Sequence, residues 1–130
     1  MKIKTSELTD AALDWAVARA KGIPAEELYI QNWGSVGKSI YRRNRDEDGK
    51  LDGTYTTGPD MLFSRKWEAG GPIVERELDM LVKQDSGQWL ASVPNPKVAW
   101  YLGPTLLIAT MRCYVASKLG DVVEVPEELL

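Results

Sequence analysis

The sequence predicts an α+β domain: an antiparallel sheet of about four to six strands packed against two main helices, about 9–21 and 104–119. Three observations carry this reading. The run from Gly103-Pro104 to Leu119 has helix length and is apolar almost all round. Thr9 to Gly22 places helix start and stop signals around a second apolar face. Between these two runs, short segments alternate apolar and polar residues and are divided by Asp-Gly and Ser-Gly turns, the pattern of antiparallel hairpins. The 130 residues are a one-domain length, 1–130, and bury enough surface to fold without staples.

Each element has a local cause. Met1–Lys4 reads as a short edge strand. Thr9 is a good N-cap, Asp10 suits the helix dipole, and Leu8 and Leu13 stand where a hydrophobic staple needs them. Gly22 stops that helix and Pro24 prevents its return. Glu27–Gln31 is a strand with Leu28 and Ile30 on one side, and KSIYRRN is a second. The polar turn RDEDGKLDG predicts that Ser39–Arg45 pairs with Leu51–Thr57. GPDMLFSRKWE shows no alternation and is assigned a short helix. Residues 72–77 read as a helical turn opened by Pro72, and 78–83 as a strand returning through Asp85-Ser86-Gly87 to Gln88–Val93. The helix from Gly103-Pro104 is the buried spine, closed by Gly120; DVVEV is a short strand and PEELL a tail.

Composition excludes several function classes. Net charge is −3, so electrostatics gives no reason to expect nucleic-acid binding. Histidine is absent, which removes His-based acid–base chemistry, Ser-His and Cys-His triads and the usual zinc sites. Cys113 is the single cysteine; it reads as a core thiol and rules out an internal disulfide. MKIKTSELTD has no apolar core of a signal peptide, and no stretch of about 20 apolar residues predicts a membrane span. No metal site, no cofactor and no catalytic residue is assigned.

Gln31–Ser39, QNWGSVGKS, contains most of the phosphate-binding pattern GxxxxGK[ST]. The first glycine of the pattern falls on Asn32. The pattern also requires a helix after Ser39, where SIYRRNRDEDG alternates instead. A hydrolytic P-loop is therefore rejected. What remains is a glycine loop feeding Trp33, Lys38, Tyr41, Arg42 and Arg43, which can clamp phosphate and stack on a base. The alternative, preferred for this segment alone, is a solvated hairpin in which Asp46, Glu47 and Asp48 neutralise the arginines.

Glu75, Arg76 and Glu77 read as surface charges rather than an acid–base pair. Arg112 interrupts an apolar helix. Either Glu75 or Glu77 pairs with it, or it faces a pocket and takes an anion. Trp15, Trp67, Trp89 and Trp100 are assigned by default to the core or its edge. Trp100 and Tyr101 are alternatively placed in a groove beside the last helix.

MKIKTSELTDAALDWAVARAKG, AGGPIVERE and GPTLLIATMRCYVASKLGDVVEVPEELL resemble a family of small bacteriophage proteins from the accessory nin region of lambda-like phages. The resemblance does not reach Ile23–Asp60 and carries over no catalytic residues. It implies a phage product made in a bacterial cytoplasm, of a kind that often counters host defence. The expectation is a non-enzymatic accessory binding protein. Its ligand would be a small anion or nucleotide, held in an oligomeric pocket by Trp33, Lys38, Tyr41, Arg42, Arg43, Trp67, Arg76 and Arg112. The other expectation is a module that binds a host protein through exposed tryptophans.

Overall fold

The computed structural model describes residues 1–55 and 61–130. Among these residues, three helices, α1 (Asp10–Ala20), α2 (Trp67–Glu77) and α3 (Leu106–Leu119), pack with eight short strands. These are β1 (Lys2–Lys4), β2 (Leu28–Asn32), β3 (Lys38–Arg45), β4 (Leu51–Tyr55), β5 (Met80–Lys83), β6 (Trp89–Ser92), β7 (Tyr101–Gly103) and β8 (Val122–Glu124). The α+β class holds, but the single sheet does not. The strands form three antiparallel sheets, ordered β1–β8, β2–β3–β4 and β5–β6–β7.

The all-round apolarity of α3 has a plain reason: it lies between two cores. On one side Met111 and Val115 join Leu13 and Val17 of α1, Ile40 of β3 and Phe63. On the other, Ala109 and Cys113 pack under Ala91, Val93 and Tyr101. Burial pushes the Cys113 thiol up to about 11, in keeping with an inert core residue. The cap of α3 is Thr105, whose side chain accepts from the Ile108 amide, so the helix opens two residues after Pro104; Gly120, at φ 95°, ends it.

In α1, Leu8 and Leu13 are both fully buried, as the staple requires. Thr9 holds the cap position with extended dihedrals, yet its side chain makes no cap bond. Residues 63–65 form a turn, and α2 starts at Trp67, five residues before the expected helical turn. Gly70, Gly71 and Pro72 lie inside α2, so packing rather than propensity holds this helix. The strand after it is correspondingly shorter, β5 alone.

The β3–β4 hairpin forms as expected, with Arg45 opposite Leu51 and Arg43 opposite Tyr55 across a register shift. Thr56 and Thr57, which were assigned to it, and Gly58–Asp60 fall outside the described residues. A 3-10 turn at Gly34–Val36 joins β2 to β3, and Lys38 and Ser39 are already strand. The helix that a P-loop needs after these residues is absent, which agrees with its rejection.

Candidate functional site

The three-stranded sheet β5–β6–β7 has two unlike faces. Leu81, Ala91 and Tyr101 share a register row and face α3. Val82, Leu90 and Leu102 form the next row and therefore point the other way. Val82 is 43% and Leu102 41% exposed, and Met80 and Trp100 beside them are also exposed.

A concavity of about 740 Å³ lies between this face and the β1–β8 ribbon. Leu90, Trp100 and Leu102 line one side, Lys4, Ser6 and Val122 the other, and Gln88 and Asp121 add polar groups. Arg112 of α3 reaches it from the core. Its side chain is buried. Nε donates to the Leu8 carbonyl at 2.9 Å and Nη1 to the Leu102 carbonyl at 2.7 Å. Neither Glu75 nor Glu77 is its partner. Arg76 takes Glu77 on the surface of α2, and among the described residues no carboxylate pairs with Arg112. Burial lowers the Arg112 pKa, but a guanidinium stays charged. Two neutral carbonyls thus hold a desolvated cation against a concave surface with aromatic and aliphatic walls. Burial also raises the Tyr101 phenol, aided by Asp121 and Cys113, so Tyr101 remains a neutral wall.

The other residues singled out in the sequence are dispersed. Lys38 donates to the Glu128 carbonyl and lines a separate concavity with Arg65 and the chain end Leu130. Trp67 is 55% exposed and lies over Gly71 and Pro72 in another. Trp100 is likewise exposed, so the core assignment holds for Trp15 and Trp89 but not for these two. Trp33 is exposed at the β2–β3 turn; Tyr41 and Arg43 sit on the outer face of β3. Arg42 and Arg76 share only an influence on Lys21, after the end of α1, whose pKa burial lowers first and the two guanidinium charges lower further.

Among the described residues, the carboxylates that neutralise Arg42 and Arg45 are Glu26 and Glu27, not Asp46, Glu47 or Asp48. Arg42 donates to Glu27 at 3.1 Å, and Arg45 to Glu27 at 3.3 Å and Glu26 at 3.2 Å. Asp46 instead accepts the amides of Asp48 and Lys50 and closes its own turn. Desolvation pushes the Glu27 carboxyl up, but the hydrogen bonds and charge of Arg42 and Arg45 outweigh it and hold the pKa below the ordinary value. A depressed carboxylate stabilises the fold above its unfolded pKa, and that contribution is lost as pH falls through the folded pKa. Melting temperature should therefore drop more steeply for wild type than for Glu27→Gln between about pH 5 and pH 3. Parallel curves would contradict this.

Among the described residues, no group of three or more His, Cys, Asp or Glu is placed to hold a metal ion, and no helix is long and apolar enough to cross a membrane. The fold and the cleft define a small α+β protein with a guanidinium at the base of an open groove. The chain belongs to the bacteriophage P22 NinX family, whose model matches residues 4–118. It is a phage nin-region accessory protein. The match runs through Ile23–Asp60, where the sequence resemblance stopped, so the GSVGKS segment lies inside the family's span. A search of curated proteins gives no match.

Proposed function

We propose that this phage accessory protein acts by binding, without turnover, and that its ligand is a small anion carrying a flat or apolar body, of which a nucleotide is the best chemical match. The observation that carries the reading is Arg112, a buried guanidinium with no carboxylate partner among the described residues, lining the cleft beside Trp100 and Leu102. A phosphate at Arg112 gains a charge-assisted hydrogen bond worth about 1.5–3 kcal/mol. Trp100 supplies a stacking face. Lys4 adds positive charge on the opposite side of the cleft. The absence of histidine from the chain favours capture over catalysis. In a host cytoplasm, such capture would remove a nucleotide signal of defence.

Isothermal titration against linear and cyclic nucleotides tests the reading. Binding should appear with at least one of them, and Trp100→Ala should weaken it by roughly fivefold or more, with the melting temperature retained. No heat with any of them, at protein near about 100 μM, removes the proposal.

A second reading rests on the sheet face that carries Met80, Val82, Leu90 and Leu102, of which Met80, Val82 and Leu102 are exposed, an apolar surface that suits a host protein. Capture of one stoichiometric host partner from lysate, lost in Val82→Asp, supports it. Retention of that partner by the variant counts against it.

A further inference from the structure

The outer face of the β2–β3 sheet offers a second surface, unconnected with the cleft. Leu28, Ile30 and Ile40 turn towards α1 and the main core. By alternation, Tyr29 and Tyr41, which are register partners, and Gln31 and Ser39, the next partners on that side, occupy the opposite face together with Arg43. No carboxylate stands among these five residues.

The three arginines of β3 are treated differently. Arg42 and Arg45 both turn to Glu27, and the register shift between Arg43 and Arg45 lets them share that side. Arg43 goes the other way. Its guanidinium carbon lies 5.5 Å from the centre of the Tyr29 ring, and its Nε is buried with no hydrogen-bond partner among the described residues. No carboxylate among those residues pairs with it. A guanidinium oriented by a ring face, rather than by an acceptor, keeps donors for an incoming anion. Trp33, at the turn that joins β2 to β3, is 51% exposed. A cross-strand tyrosine pair by itself only stabilises a sheet. The combination with an arginine that pairs with no carboxylate among the described residues, and with an exposed tryptophan at the turn, also describes a stacking platform.

We propose that the outer face of β2–β3 binds single-stranded nucleic acid. Tyr41 provides a stacking surface for a base, and Arg43, held against the Tyr29 ring, contacts a phosphate. A sheet patch of this width takes roughly two or three nucleotides. The net charge of −3 speaks against sequence-independent grip on a duplex, which requires many phosphate contacts; it does not bear on a short strand held by stacking and one cation.

The test uses the full chain and a fluorescently labelled twelve-residue oligothymidylate, followed by anisotropy at low salt. Single strand should bind, and a duplex of equal length should bind at least about tenfold more weakly. Arg43→Ala and Tyr41→Ala should each weaken single-strand binding about tenfold, whereas Tyr41→Phe, which keeps the ring, should retain it. Arg43→Ala removes a side chain from the outer face and serves if Tyr41→Ala does not fold. The inference is overturned if no anisotropy change appears up to about 100 μM protein. It is equally overturned if duplex binds as tightly as single strand, or if folded Arg43→Ala binds as wild type does.

Discussion

Asp14→Ala is expected to destabilise the fold by about 3–5 kcal/mol, the cost typical of removing one partner from a buried ion pair. Asp14 has no exposed surface, although it sits in the middle of the apolar helix α1. Its Oδ1 accepts from the Ser64 amide at 2.8 Å and the Ser64 hydroxyl at 2.7 Å. Its Oδ2 accepts from Arg65 twice, at 3.0 and 2.8 Å, and Arg65 extends to the Lys38 carbonyl of β3. One carboxylate thus ties α1 to the turn at 63–65 and, through Arg65, to the second sheet. Burial raises the Asp14 pKa, while Ser64 and Arg65 pull it down without cancelling that rise. Removing the side chain orphans the Ser64 amide in the interior, where an unmet donor costs about 1–3 kcal/mol by itself. The melting temperature should fall by roughly 10–20 °C. Ser64→Ala, which leaves the amide bond to Asp14 intact, should cost only about 1 kcal/mol. Equal losses for the two variants would show that the carboxylate is not the hub.

The second large effect reverses a general rule. Replacing an interior helical glycine by alanine ordinarily stabilises a helix by about 1 kcal/mol. Gly70→Ala should instead destabilise by about 2–4 kcal/mol, the upper part of the overpacking range or slightly beyond. A Cβ at Gly70 would lie 2.1 Å from the Phe63 carbonyl oxygen and 2.9 Å from Leu107 Cδ2. The first of these is backbone, and Phe63 is fixed in the core at 2% exposure, so α2 would have to move away from it. Gly71 is the internal control. A Cβ there meets the indole of Trp67, at 2.9 Å from Nε1, and that exposed ring can swing aside. Gly71→Ala should therefore leave the melting temperature nearly unchanged or slightly raised. Denaturant midpoints for the two variants decide the matter; similar midpoints would contradict the close approach at Gly70.

These two sites show where local pattern informs and where it stops. The spine α3, the hairpin β3–β4 and the strand after GSVG follow from capping residues, turn chemistry and alternation, all of which act over a few residues. Of helix α2 only residues 72–77 are legible, because Pro72 reads as a first helical position and Gly70-Gly71 before it disfavour helix by propensity. Only the contact of Gly70 with Phe63, seven residues upstream, makes glycine the residue that fits. The division into three sheets is equally non-local: β1 pairs with β8 from the opposite end of the chain, and neither strand carries a sign of its partner. For the candidate cleft, Arg112 was readable as a charge on an apolar helix. Its partners were not, because backbone carbonyls of Leu8 and Leu102 have no signature in side-chain chemistry. Asp14 is legible by the same logic, as a carboxylate on an apolar helix, but nothing in the sequence marks Ser64 and Arg65 as its partners.

The claim that Arg112 and Trp100 form a ligand cleft is tested most directly by two-dimensional NMR of the labelled protein, titrated with the nucleotide that gives heat in calorimetry. The Trp100 indole, the Arg112 Nε–H and the amides of β7 should shift together and saturate at one affinity, with Trp33 and Trp67 unmoved. Saturable shifts confined to Trp33, Trp67 or the β2–β3 sheet, with Arg112 and Trp100 unchanged, would contradict it.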